Sequence, residues 1–518
     1  MLGQSVNELR LAHEWILFMT TTQRPNLLYI HTDQHTPAVT GCYGDPLVQT
    51  PNLDRLAANG VVFENTYCNS PICVPSRMSM LTGRHPYQNQ VWGNSHVLDS
   101  GIPTLAHAMG AAGYQPVIIG RMHAVGPDQL HGYAERLVGD HSANYLGGRG
   151  PDRGALDGTA GPDRISLTKA GAGQSAYQVH DEYVTAATVD YLNRLGVQRK
   201  ADGKLDPFSL TVGLMLPHPP YVARQEDYAI YANAMTMPHK PAPFDRVRHP
   251  FLRAWREHTG ITEVTEAEIL RSRAAYWALV HRVDMMIGQI MQALESNGLA
   301  ENTLIVYTSD HGDMQGEHGL WWKHVFYEES VKVPLIVSWP GVIAGGQRSD
   351  RVISALDVNA TMLDALGAPA LPHSPGRSFL GLIADVRAKP VWEDVAFSEY
   401  CADEYVPYKI DTGKTYQRMI RQGDWKLIYY HGMEPQLFNL AEDPGELIDL
   451  AQEPHYQATR DALLARLLDD WNPEVIANTM AAKRIDNAVL RAWARQTNPP
   501  DQHRWDLRPE MNYLDSTE

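Results

Sequence analysis

Ile72-Cys73-Val74-Pro75-Ser76-Arg77, running on through Ser79 to Leu81-Thr82-Gly83-Arg84, is the stretch around which the chain is read. It follows an apolar, strand-like run, Val61-Val62-Phe63, and precedes a short helix-like run. A cysteine at such a junction poses a chemical question. Either its thiolate is a nucleophile, or its side chain is the precursor of another group. The polar clusters elsewhere in the chain read as partners for this position.

Outward from that stretch, four apolar runs of strand length each end in polar residues. Asn26 to Ile30 ends in His31-Thr32-Asp33-Gln34, and Pro116 to Ile119 ends in Gly120-Arg121-Met122-His123. Pro207 to Leu216 ends in Pro217-His218-Pro219-Pro220, and Leu304 to Tyr307 ends in Ser309-Asp310-His311-Gly312-Asp313. Val333 to Ser338 is a further strand. Helical segments alternate with them: Pro51 to Asn59 with Gly60 as its stop, Thr104 to Gly113, Tyr177 to Leu195, and Asp357 to Leu366. The longest helix starts at a capping box of Thr265 with Glu268 and stops at Gly298. This alternation predicts an α/β fold, a large, mixed, mostly parallel central sheet with helices on both faces. The carboxyl ends of parallel strands share one edge, where such sheets keep their sites.

Around Pro390 the pattern changes. Val395 to Tyr400, Gln417 to Arg421 and Trp425 to Tyr430 are short strands, the last two joined by a Gln422-Gly423-Asp424 hairpin signal, and a helix follows over His455 to Trp471. The expected division is a leader at 1–24, a catalytic domain at 25–388, a small C-terminal α+β domain with an antiparallel sheet at 389–471, and a tail at 472–518. The tail is expected to pack on the body or on a neighbouring subunit, making a homo-oligomer. The glycine-rich segment 139–173 reads as an exposed loop, a flap over the site. Residues 222–261 read as irregular. The Tyr177 helix is expected to bury Val179, Tyr183, Ala186, Ala187 and Tyr191.

Composition bounds the function. A chain of 518 residues calls for more than one domain, and 44% apolar residues suffice for a buried core. A net charge of −16 with no Lys/Arg-rich run argues against a nucleic-acid partner. An acidic enzyme acting on anions must gather positive charge locally. Four cysteines, Cys42, Cys68, Cys73 and Cys401, do not form a disulfide framework and fit a reducing compartment. The apolar run Trp15 to Met19 is too short for a secretory signal, and no run reaches membrane length. A cytoplasmic protein without a membrane partner is therefore expected, with Met19 as a second candidate start.

Asp33, Gln34, Asp310 and His311 make a set of hard-to-borderline ligands for one divalent cation. Two carboxylates, an amide oxygen and an imidazole suit Ca²⁺ or Mn²⁺, and the imidazole tilts the choice to Mn²⁺. Taken singly, each is an ordinary strand-end cap; the pairing of Asp-Gln with Asp-His at two strand ends is what points to a metal. Arg77, Arg121 and Lys323 are the cations to set against an anionic group, with His123 and His218 beside them. Singly, these too read as surface charges or structural histidines. His35, His85, His96, His318 and His324 read as structural.

Cys73-Val74-Pro75-Ser76-Arg77 with Leu81-Thr82-Gly83-Arg84 resembles the signature of type I sulfatases of the alkaline-phosphatase superfamily. The resemblance runs from about Pro25 to the start of the tail. It takes in Gly120-Arg121-Met122-His123, Pro217-His218-Pro219, Asp310-His311-Gly312 with Lys323, and Leu437-Phe438-Asn439-Leu440 leading to Asp443-Pro444-Gly445-Glu446. It implies an alkaline-phosphatase-like fold and an arylsulfatase-like hydrolysis of small-molecule sulfate monoesters. It implies that a formylglycine-generating maturase oxidises Cys73 to formylglycine, hydrated to a geminal diol. One diol oxygen attacks sulfur, and the other later expels sulfate as the aldehyde re-forms. By the same resemblance Asp33, Gln34, Asp310 and His311, with the residue at position 73, hold the metal, and Arg77 supports the diol. His123 helps to deprotonate the diol, His218 and Lys323 bind sulfate and assist the leaving oxygen, and Asn94 falls near the sulfate.

The chain departs from the common pattern in two places. Asp33-Gln34 with Asp310-His311 is more similar to the phosphonate monoester hydrolase and choline sulfatase branches, and Arg121 stands where a lysine is usual. The Arg121/His123 pair argues for a sulfatase, since the phosphonate and phosphodiester hydrolases tend to have Tyr and Thr at those positions. Two rival functions follow: a phosphonate monoester or phosphodiester hydrolase using the same nucleophile, and an unmodified protein that binds sulfated ligands without turnover.

Overall fold

Eight strands build the central sheet: β1 (Asn26–Asp33), β2 (Val61–Tyr67), β3 (Pro116–Gly120), β4 (Glu135–Arg136), β6 (Ser209–Pro217), β8 (Thr303–Ser309), β9 (Leu335–Ser338) and β10 (Gln347–Ser354). Between them in the chain, β5 (Gly171–Gln174) and β7 (Val222–Ala223) join β15 (Tyr513–Leu514) in a small separate ribbon. The structure is a computed structural model that describes residues 24–240, 242–384, 391–403 and 415–515. The leader with Trp15 to Met19 lies outside the described residues.

The order across the main sheet is β10-β2-β9-β8-β1-β6-β3-β4. β8, β1, β6 and β3 are neighbours and mutually parallel, while β9 is antiparallel to β2 and β8. This is the mixed, mostly parallel sheet that the alternation of runs predicts. Side chains alternate between two cores, as the pleat requires. On β1, Leu28 and Ile30 join one apolar cluster, and Leu27 and Tyr29 join the other. The first cluster is covered by the Glu266–Ser296 helix, whose Thr265 cap and Glu268 box form as expected. The second is covered by the helices Cys73–Thr82, Leu105–Ala111 and Ala355–Ala365.

A second, antiparallel sheet contains β11 (Val395–Ala402), β12 (Thr415–Gln422), β13 (Trp425–Tyr430) and β14 (Gln436–Asn439). The helix Gln457–Leu468 packs Leu463 and Leu467 against its Ile420, Leu427 and Leu437. Lys426 ties this sheet to the larger part, with Nζ 2.9 Å from Glu328 Oε1 and 2.7 Å from Glu446 Oε1.

Several expectations need correction. Cys73 does not precede a helix but opens one. In the Ala176–Asp202 helix the buried face carries Tyr177, His180, Asp181, Val184, Thr188 and Leu192, while Tyr183 is 56% exposed. The polar members misled the periodicity: Asp181 is buried because its carboxylate accepts the backbone N–H groups of Met215 and Leu216 at the end of β6. Residues 222–261 hold the helices Gln225–Tyr231 and Pro250–His258. The tail contains a helix, Pro473–Thr497. Beyond it the chain returns to segment 139–173, where Trp505 N–H donates to Asp140 O at 2.8 Å and β15 pairs with β5 in the small ribbon. Segment 139–173 is therefore pinned by the tail rather than left as an open flap.

Candidate active site

The carboxyl ends of β8, β1, β6 and β3 carry Asp310, Asp33, His218 and Arg121 to one edge of the sheet. The helix Cys73–Thr82 points its first turn at that edge. Ile72, in extended backbone, caps it, Pro75 occupies the first turn where no N–H is missed, and Gly83 at φ 64° ends it. Cys73 and Arg77 stand one turn apart on the same face. Gly312 allows the Asp310 segment to reach its place, because a Cβ there would lie 2.0 Å from Glu329 O.

Cys73 Sγ lies 3.0 Å from Lys323 Nζ, 3.3 Å from His311 Nε2 and 3.7 Å from Asp33 Oδ1. Asp33, Cys73, Asp310 and His311 each present one ligand atom, all within 4.8 Å of one another. Lys323 also donates to Gln34 Oε1 at 2.7 Å. Arg77, fully buried, donates from Nε to Asp310 Oδ2 at 2.8 Å and from NH2 to Asp33 Oδ2 at 3.1 Å. Arg121 donates from Nε to the same Asp33 oxygen at 2.6 Å. Its NH2 donates to His123 Nδ1 at 2.8 Å, which leaves the hydrogen of the neutral ring on Nε2. Asn94 sits at the mouth, its Oδ1 accepting from Val74 N–H at 3.0 Å. His218 is buried, with Nδ1 2.6 Å from Pro219 O.

Three fixed cations thus surround two carboxylates. Burial by itself would raise the Asp33 carboxyl, but Arg121, with Arg77 and Lys323, outweighs it and holds Asp33 well below the usual carboxylate range. Burial and the Asp33 charge raise Asp310 against the pull of Arg77. Burial, with the cations beside them, keeps His123, His218 and His311 neutral. Burial and Asp33 push the Cys73 thiol up to about 11, against Lys323. A cavity of about 520 Å³ opens beside the start of the helix, lined by Ile72, Trp92, Asn94, Trp255, His324 and Tyr400 among others.

The sulfatase family model matches residues 13–368. This chain belongs to the sulfatase family. A second model, N-sulphoglucosamine sulphohydrolase, C-terminal, matches residues 316–472 of this sulfatase. The choline-sulfatase of Rhizobium meliloti (strain 1021) is 34% identical over 498 residues, covering 92% of this chain and 91% of the relative. Arylsulfatase K of Danio rerio is 30% identical over 476 residues, covering 87% and 85%. Among solved structures, the phosphonate monoester hydrolase of Agrobacterium radiobacter superposes with a TM-score of 0.71 at 23% identity, covering 86% of this chain and 95% of that one. That likeness is one of fold. The sulfatase is a sulfuric ester hydrolase.

The four strand ends and the Cys73 helix bring Asp33, Gln34, Arg77, Arg121, Asp310, His311, Lys323 and Cys73 into one buried network. Three members were not singled out from the sequence of this sulfatase. Asp140 accepts from Arg121 NH1 at 3.3 Å and from His141 Nδ1 at 2.8 Å. Asp313 accepts from Gln34 Nε2, and His31 Nδ1 lies 3.0 Å from Arg77 NH1. Asp313 follows directly on the Asp310-His311-Gly312 motif, a signal that was present. Asp140 lies in the glycine-rich segment, with nothing local to mark it. Segment 139–173 contributes Pro162, and 222–261 contributes Trp255 and His258, to the cavity.

Proposed function

We propose that this hydrolase cleaves small-molecule sulfate monoesters with position 73 as formylglycine and one divalent metal, Ca²⁺ or Mn²⁺, held by Asp33, Gln34, Asp310 and His311. The observation that carries this reading is the convergence of Asp33, Cys73, Asp310 and His311 ligand atoms within 4.8 Å. Two carboxylates, an amide oxygen and a neutral imidazole form a hard-to-borderline donor set that fits such an ion. The buried thiol, raised to about 11, is a poor thiolate, which supports the precursor reading of Cys73. When bound, the metal neutralises sulfate oxygens and lowers the pKa of a nearby hydroxyl. Hydrated formylglycine supplies the oxygen nucleophile and the second hydroxyl whose proton loss releases sulfate.

The chain's own residues do the rest. Arg77 fixes the rotamers of Asp33 and Asp310 by bonding to both. Lys323, unpaired with any carboxylate of the described residues at hydrogen-bond distance, meets the sulfate, with Arg121, His218 and Asn94 around it. His123, whose Nδ1 accepts from Arg121 NH2, is the residue read as assisting proton loss from the diol. The alcohol part of the ester occupies the cavity of Trp92, Trp255 and Tyr400.

The same reading takes 25–388 as the catalytic domain, 389–471 as the small domain, a maturase as partner, and a cytoplasmic homo-oligomer. No described helix is long and apolar enough to cross a membrane. Mass measurement of the Cys73 peptide, with a panel of esters, tests the proposal. Formylglycine and a wide kcat/KM preference for sulfate monoesters are expected. A preference for phosphonate esters or phosphodiesters would move the reading to that rival, and thiol alone in protein from its native host would overturn both. Elemental assay of the purified protein decides between Ca²⁺ and Mn²⁺.

A further inference from the structure

We propose that Asp313, braced by Tyr221, fixes which atom of the Gln34 amide faces the nucleophile, and so makes a neutral side chain behave as a dedicated oxygen ligand. The inference rests on the proposed metal site. Gln34 is clamped at its backbone. Its φ is 69°, its N–H donates to Asp310 Oδ1 at 3.0 Å, and its carbonyl accepts from the Tyr276 hydroxyl at 2.6 Å. What remains free is the half-turn of the terminal amide, which exchanges oxygen for NH₂.

Both ends of that amide are spoken for. Nε2 donates to Asp313 Oδ2 at 2.6 Å, and the Tyr221 hydroxyl donates to the same oxygen at 2.6 Å. Asp313 Oδ1 accepts from Gln315 N–H at 3.0 Å. At the other end Gln34 Oε1 accepts from Lys323 Nζ, the nitrogen that touches Cys73 Sγ. A flipped amide would set Oε1 against a carboxylate oxygen and NH₂ against an ammonium, with no water-exposed alternative, since Gln34 and Asp313 are fully buried. A carboxylate at position 34 would need no such control, because both its oxygens are ligands. Asp313 is a positioning residue.

The test is Mn²⁺ affinity by calorimetry on the full chain, with kcat, KM and melting temperature measured alongside. Asp313→Asn offers both a donor and an acceptor, so Gln34 takes either orientation; Mn²⁺ binding should weaken about 10- to 100-fold, as for other outer partners of metal ligands. Gln34→Glu alone should also weaken binding, because it faces the Asp313 carboxylate. In the Asp313→Asn background the same Gln34→Glu change should restore affinity to within about threefold of the unmodified chain, a reversal of sign that independent, purely structural effects would not produce. If Asp313→Asn binds Mn²⁺ like the unmodified chain while Asp310→Asn does not bind it, the inference is overturned and the metal site stands. If the unmodified chain binds neither Mn²⁺ nor Ca²⁺, both fall; if it binds Ca²⁺ alone, the same variants are measured with Ca²⁺. Should Asp313→Asn not fold, Tyr221→Phe carries the test: weaker Mn²⁺ binding is expected, and unchanged affinity overturns the proposal.

Discussion

Lys323 holds its ammonium nitrogen 3.0 Å from the sulfur of Cys73, although 250 residues separate the two. The ammonium does not make the sulfur a thiolate, because burial and the Asp33 carboxylate outweigh it and the thiol rises to about 11. Unconverted Cys73 should therefore resist iodoacetamide at pH 8, reacting roughly 100-fold more slowly than an ordinary thiol. Peptide mass spectrometry over time measures this, and alkylation at the rate of free cysteine would refute it.

Cys73→Ala should remove turnover, by a factor of about 10⁴ or more in kcat, and cost little stability. The side chain is small, and no ion pair depends on it. Ester hydrolysis and a melting curve give the two numbers; a large fall in melting temperature with partial activity would assign Cys73 a structural role.

Asp140 is the buried partner of Arg121, and Arg121 in turn meets Asp33 and His123. Asp140→Ala leaves a buried guanidinium with less compensation, a change that typically costs about 3–5 kcal/mol. Chemical denaturation should show that loss, and kcat/KM should fall because Arg121 and His123 are freed to move. Asp140→Asn keeps an acceptor and should recover part of both.

Trp505 packs on His180 at 5.2 Å between ring centroids and donates its backbone N–H to Asp140 O. Trp505→Ala should loosen segment 139–173. Limited proteolysis should then cut within 139–173 faster, and KM should rise more than kcat falls. An unchanged cleavage pattern would show that the remaining tail contacts suffice.

Glu399 is a buried carboxyl raised from 4.5 to about 7, by burial above all, with Arg418 opposing. It accepts from Tyr87 N–H at 2.6 Å and from the Trp471 indole. The folded state binds this proton more tightly than the unfolded chain, so the stability it contributes is full below about 4.5 and is lost as pH rises through about 7. The effect amounts to roughly 3 kcal/mol at most. The melting temperature of the unaltered chain minus that of Glu399→Gln should fall between pH 5 and pH 8; a constant difference would contradict the shift.

The strand runs ending in Asp33, Arg121, His218 and Asp310 were legible because a parallel sheet buried on both faces demands long apolar segments, and polar residues survive only where those segments stop. The capping box at Thr265 and the hairpin at Gly423 were legible because their chemistry is local. The buried face of the Ala176–Asp202 helix was not. Its core side includes His180 and Asp181, whose burial is compensated by partners far away in the chain, so periodicity alone pointed to the wrong face.

The sequence by itself determined the fold class, the family, and the residues around Cys73, because motif chemistry and apolar periodicity are properties of short segments. Only the tertiary structure decided that Cys73 opens its helix, that Arg77 bridges Asp33 and Asp310, and that Asp140 and Asp313 stand behind Arg121 and Gln34. Those relations depend on ion pairs and hydrogen bonds between residues that only folding brings together, and their stabilisation exists only once water has been excluded from all the partners at once.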